Sequence, residues 1–172
     1  MFLVPRSMIT VAMVAFVSVA SASPVWAAED KWQPPACDAP VPVPAEWSGW
    51  ETPSSAPDSG EIAVGTAWNF ALAPVSEVAL TGFDGKELPE GSMGAVLTFS
   101  APSAGTYLIT VADPMWIDVI GAKGVVESSA HGHGPDCSGI GKIVHFPLQP
   151  GTYRIELSAA QVDASRLMIK AP

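Results

Sequence analysis

The stretches SAPSAGTYLITVA (Ser100–Ala112) and FPLQPGTYRIELSA (Phe146–Ala159) repeat one design. Each breaks at a proline, turns at a glycine and enters Thr-Tyr. After that, apolar residues alternate with polar or smaller ones. Tyr107, Ile109 and Val111 share one parity, as do Tyr153, Ile155 and Leu157. A period of two places such residues on one face of a β-strand. Arg154 and Glu156 then mark the outer face of the second copy. Two copies make a local architecture, not a solenoid, which needs at least about three repeats.

The same texture extends outward in both directions. EIAVGTAWNFAL, VSEVALTGF, GAVLTFSAP, MWIDVIGA, GVVESSA, GKIVHFPL and SRLMIKA are short and rich in β-branched or aromatic residues, and Gly, Pro, Ser or Asp bound them. Asp84-Gly85 is a turn signal. No window shows an amphipathic helix. Strands at roughly ten-residue spacing point to an all-β sandwich of antiparallel strands.

The leading residues supply an address. Arg6 precedes an uncharged apolar run, Met8–Val19, and then small residues with Val25 and Ala27 in the positions signal peptidase favours. The run is shorter than the ~20 residues a membrane span needs. The expected organisation is a signal peptide over 1–27, an extended arm over 28–60 and the sandwich over 61–172. Residues 28–172 are about one domain's worth of chain. Export predicts a periplasmic or secreted protein with no stable membrane span after cleavage.

Eight Lys and Arg stand against 17 Asp and Glu, a formal charge of −9. Cleavage removes Arg6 and no acid, so the mature chain is more acidic still. Nucleic acid is excluded as a partner, because its binding rests on neutralising phosphates with Lys and Arg. A small molecule, a glycan or another protein remains.

The arm, WQPPACDAPVPVPAEWSGWETPSSAP (Trp32–Pro57), is too rich in proline for a helix or a central strand. Trp32, Trp47 and Trp50 pin it by burying aromatic area. The alternative is a ligand surface built from Trp47 and Trp50, with Trp116 and Asp118 of MWIDV as further candidates. Cys37 and Cys137 are the two cysteines, so an oxidising compartment leaves one pairing.

That pairing ends in AHGHGPDCSGIGK (Ala130–Lys142), which combines two histidines, an aspartate, a cysteine and four glycines. His131 and His133, two apart, would share a face on a strand. With Asp136, or with His145 on the next strand, they form a candidate donor set for a divalent metal, zinc or copper. The competing readings are a glycine-rich connection held by the disulfide and a reactive thiol at Cys137. No glycine-flanked serine elbow and no phosphate-loop Lys-Ser/Thr pair is present. Catalytic residues are therefore not assigned, and a non-enzymatic binding or accessory role is the leading expectation. A metal-dependent enzyme using the His-Gly-His loop is the alternative.

Over Gly94–Lys170, the run FSAPSAGTYLITV…WIDVI…VVESS…IVHFPLQPGTYRIELS resembles the bacterial pre-peptidase C-terminal type of domain. That resemblance implies a jelly-roll-like sandwich on a secreted protein, acting as an accessory, stabilising or binding module. The family's aspartate pair meets only Asp118 here, with Asp113 further back, so no calcium site is carried over. AHGHGPDCS and the late PGTY also resemble small exported proteobacterial proteins that sometimes carry a homogentisate 1,2-dioxygenase label. Ring cleavage needs an iron with open positions and fixed His/carboxylate ligands, and the sequence does not supply that set.

Overall fold

The computed structural model describes residues 36–83 and 87–172, which fall in one compact unit. The leader, Trp32 and the Asp84-Gly85 turn lie outside the described residues. Eleven strands follow in chain order: β1 (Ser54–Ser55), β2 (Ala67–Ala71), β3 (Ala73–Pro74), β4 (Met93–Ala101), β5 (Gly105–Val111), β6 (Trp116–Gly121), β7 (Gly124–Val126), β8 (Ala130–Gly132), β9 (Lys142–Leu148), β10 (Gly151–Ala160) and β11 (Ala164–Lys170).

They build two sheets, ordered β1-β2-β11-β5-β9-β8 and β3-β4-β10-β6-β7. Apart from the parallel β1–β2 pair, the ladders between strands are antiparallel. The chain changes sheet from β2 to β3, β4 to β5, β5 to β6, β7 to β8, β9 to β10 and β10 to β11. With β2-β11-β5-β9 facing β4-β10-β6-β7, this is the wrapping of an eight-stranded jelly roll. β1, β3 and β8 are short additions at its edges. The chain is an all-β sandwich.

Strand parity places the core as the alternation requires. Tyr107, Ile109, Val111, Ile155 and Leu157 are fully buried between the sheets, with Phe99, Leu167 and Ile169. The two Gly-Thr-Tyr segments also share a device. The Tyr107 hydroxyl donates to Ser103 O at 2.9 Å, and the Tyr153 hydroxyl donates to Gln149 O at 2.9 Å. Each ring thus closes the corner that leads into its own strand, as in the tyrosine corner of sandwich folds. Phe99 packs between them, its ring centre 6.3 Å from that of Tyr107 and 5.7 Å from that of Tyr153.

The structure departs from the sequence reading in two places. VSEVALTGF is not a strand: Val75–Glu77 is a 3-10 turn, and the chain beyond it is irregular. The reason is Glu156, on the outer face of β10. Its carboxylate accepts Thr81 N–H at 2.8 Å, Thr81 Oγ1–H at 2.7 Å and Gly82 N–H at 2.9 Å. These backbone donors serve an acid instead of a neighbouring strand. The connection before His133 is also not all loop, because β8 pairs with β9. The arm also takes part in the folded body. Ser54 and Ser55 pair with Trp68 and Asn69 of β2, and Ala45–Glu51 forms 3-10 turns that bury Trp47 and Trp50.

Glu156 is 1% exposed and forms an ion pair with Arg154 at 2.8 Å. Burial alone would raise its pKa. The hydrogen bonds from the Thr81 hydroxyl, from Gly82 and Thr81 N–H and from Arg154 outweigh that, and the carboxyl sits below its ordinary value. A depressed carboxyl pKa stabilises the fold at neutral pH, and that stabilisation disappears as pH falls through the folded-state value. Glu156→Gln is expected to cost about 3 kcal/mol, the low end for breaking a buried pair, since Arg154 stays partly solvated. Denaturant titrations at pH 7 and in acid check this: the gap between wild type and variant should close as pH drops.

Candidate functional site

The glycine- and histidine-rich segment leaves β8, turns through Pro135–Ser138 and returns as β9. Cys37 and Cys137 form a disulfide across a separation of 100 residues. Val41 N–H donates to Cys137 O at 2.8 Å, which extends the attachment of the arm by one backbone bond. Ser138 Oγ–H donates to Pro135 O at 2.6 Å, and Ile140 N–H donates to Ser138 Oγ at 3.2 Å. Ile140 is thereby held in a small second core with Trp47, Trp50, Ala67 and Met168. This core lies on the outer face of the first sheet. Arg166, Met168 and Lys170 alternate outward along β11. The Arg166 guanidinium sits 5.4 Å from the Trp50 ring centre, and Lys170 Nζ sits 5.3 Å from that of Trp47.

The loop glycines are there for close approach. A Cβ on Gly134 would stand 2.3 Å from Ile140, and one on Gly141 would stand 2.2 Å from Ala112 O. Nothing in this arrangement wraps an ion. In the β8–β9 register His131 lies opposite Val144 and Ala130 lies opposite His145. Opposed residues share a face and successive residues alternate, so His131 and His145 belong to opposite faces. His133 lies past β8, and its Nδ1 is 3.0 Å from Gly141 O. A carbonyl only accepts, so Nδ1 carries the proton and Nε2 is the nitrogen with the lone pair. Asp136 is exposed, and the Cys137 sulfur is spent in the bridge. The expected metal set of His131, His133, Asp136 and His145 is therefore not gathered, and no three His, Cys, Asp or Glu side chains form an ion-holding group among the described residues.

The expected ligand surface is corrected as well. Trp47 and Trp50 are 5% and 1% exposed, with the arm folded over them; they are packing residues. Trp116 keeps 49% of its surface exposed. It begins β6 opposite Ser158, with Asp118 two residues on and opposite Glu156, so Trp116 and Asp118 project from one face.

Lys142, the residue that ends the glycine-rich segment, is the part of this cluster that sequence reasoning missed. Its Nζ–H donates to Met115 O at 2.9 Å, and Nζ lies 5.1 Å from the Trp116 ring centre. The signal for it was available. Lys142 shares parity with Val144, Phe146 and Leu148, which makes it a lysine at a core-facing position. Burial holds its pKa below the ordinary lysine value, and Asp118 pulls the other way. The crossover beneath is clamped, since Gly141 N–H donates to Val111 O at 3.0 Å and Ser165 Oγ–H donates to Asp113 Oδ2 at 2.7 Å. Met115 is buried. Trp116, Asp118 and Lys142 thus form an aromatic surface with one charge of each sign on a rigid support.

No family model and no curated protein matches the chain. Among solved structures it is similar to the pre-peptidase C-terminal domain of a collagenase from Bacillus anthracis, at 16% identity and a TM-score of 0.37. The match covers 64% of this chain and 92% of that one.

Two outcomes follow for these residues. Reduction of the bridge, or Cys37→Ser with Cys137→Ser, should lower stability by up to about 4–5 kcal/mol, the chain-entropy value for a loop of this length. It should also shift Trp47 and Trp50 emission to the red as the arm loosens, which fluorescence-detected unfolding reads directly. Asp118→Asn removes the interaction that raises the Lys142 pKa, so NMR titration of that amine should find its pKa lower than in the wild type.

Proposed function

We propose that the chain is an exported, non-enzymatic binding module that takes its ligand on the face of Trp116. The exposed indole beside Lys142, on the same strand face as Asp118, is the observation that carries this reading. Large aromatic rings left half in water on a rigid support are contact surfaces. The charges beside Trp116 supply a donor and an acceptor for polar groups on whatever stacks there. A flat ligand with hydroxyl groups on its rim, such as a sugar ring, fits that chemistry. Two features support export: the leader-like N-terminal sequence and the oxidised Cys37–Cys137 pair. An accessory role is also in keeping with the resemblance of Gly94–Lys170 to pre-peptidase C-terminal domains.

Titration of the intact, oxidised protein with a panel of oligosaccharides, read by tryptophan fluorescence, tests the proposal. A saturable change for at least one glycan is expected, with Trp116→Ala abolishing it and Trp68→Phe leaving it in place. A flat response across the panel, or a response that survives Trp116→Ala, removes the glycan reading.

A further inference from the structure

β4 is the edge at which the second sheet is only partly covered. Ala73 of β3 pairs with Gly94, and further along Glu61 bridges Thr98. There, Thr98 N–H donates to Gly60 O and Ile62 N–H donates to Thr98 O, each at 2.8 Å. Backbone polar groups alternate sides along a strand. The N–H and C=O of Val96 therefore point the same way as those of Gly94 and Thr98, away from β10. Among the described residues no strand pairs with Val96 on that side. The interruption spans Gly94 to Thr98, ~13 Å at ~3.3 Å per residue.

A cleft of about 740 Å3 opens in front of this interruption. Phe70, Leu72 and Leu97 line its apolar part, and the exposed carboxylates of Asp58 and Glu77 stand at its rim. Arg154 also lines it, but its guanidinium is committed to Glu156 and to Ala79 O, so its charge is already balanced within the fold. Among the described residues the rim is thus net acidic, on a chain of formal charge −9. Gly60 packs close to the edge at its Thr98 end: its φ is +71°, and a Cβ there would stand 3.1 Å from Val96 O.

We propose that this cleft binds a short, extended peptide segment bearing a basic side chain. The segment adds to β4 through the N–H and C=O of Val96 and sets its cation against Asp58 and Glu77. Strand addition supplies backbone hydrogen bonds that do not depend on guest sequence, and the flanking groups select the side chains. The interruption admits about three residues of a guest strand, and the cleft volume lies within the ordinary range for ligand sites. This site does not involve Trp116 and stands or falls apart from the glycan reading.

The test is NMR titration of the intact, oxidised protein with acetyl-Val-Lys-Val-Lys-Val-amide. Saturable shifts centred on Val96, with slowed exchange of its amide, are expected. N-methylation of the central valine, which removes a guest donor, should weaken binding about tenfold, as should replacement of both peptide lysines by glutamate. Asp58→Asn with Glu77→Gln, both at exposed positions, should weaken the lysine peptide to a similar degree. Val96→Pro removes the strand's own donor at an edge where proline is tolerated and should abolish binding; if that variant does not fold, the N-methylated peptide decides. Absence of saturable binding at millimolar peptide, indifference to N-methylation, or equal binding of the glutamate peptide overturns the proposal.

Discussion

The bond between Cys37 and Cys137 sets most of what is particular to this jelly roll. A sandwich needs only the alternation of its strands to close its inner core. The outer face of its first sheet carries Met168, Ala67, Leu108 and Ile143, which strand parity alone would leave in water. The bridge brings the proline-rich arm across that face, where Trp47 and Trp50 complete a second apolar layer. Arg166 and Lys170 then lie against the indole rings, and Arg166 donates to Trp50 O at 2.8 Å. The same bond consumes the sulfur that would have made the glycine-rich turn reactive. It also explains the composition of that turn: the chain must pass within contact of Ile140 and Ala112 to reach its partner, and only glycine fits at 134 and 141.

Much of the fold was legible because jelly-roll cores are written in parity. Tyr107, Ile109 and Val111, and their counterparts Tyr153, Ile155 and Leu157, point inward as their spacing requires, and the Gly-Thr-Tyr echo marks two corners of identical construction. The failures have a common cause. VSEVALTGF has the composition of a strand, but the N–H groups of Thr81 and Gly82 are claimed by a carboxylate far along the chain, that of Glu156. Glu156 was correctly placed on an outer face, yet it is buried, because the segment that covers it arrives from elsewhere in the chain. Local periodicity records which side of a strand a residue occupies. It carries no information about what later crosses that side.

The same distinction separates the readings of the histidines. Their spacing in sequence suggested a shared face, and proximity to His145 suggested convergence. Both depend on register, which a one-residue shift inverts. The observed register puts His131 with the core-facing parity of Val144 and His145 with the opposite one. Donor residues clustered in sequence are scattered in space, and a disulfide and a backbone contact account for the order of the segment without an ion.

For a protein whose strands otherwise follow the alternation closely, the exceptions are the informative positions, since binding sites are where local consistency is given up. Two exceptions stand out. Lys142 is a cation at a core-facing position of β9, partly desolvated and held to Met115 O. Trp116 is a large aromatic at an outer position of β6, left half exposed. Either alone would be an ordinary irregularity at a strand end. They meet within cation–π distance, beside Asp118, over a crossover clamped by Gly141 and Ser165. A scaffold gains no core from such a pairing, because the indole stays wet and the amine is costly to desolvate. That imbalance is the physical reason to look for a ligand at this end of the sandwich and not at the histidine-bearing edge.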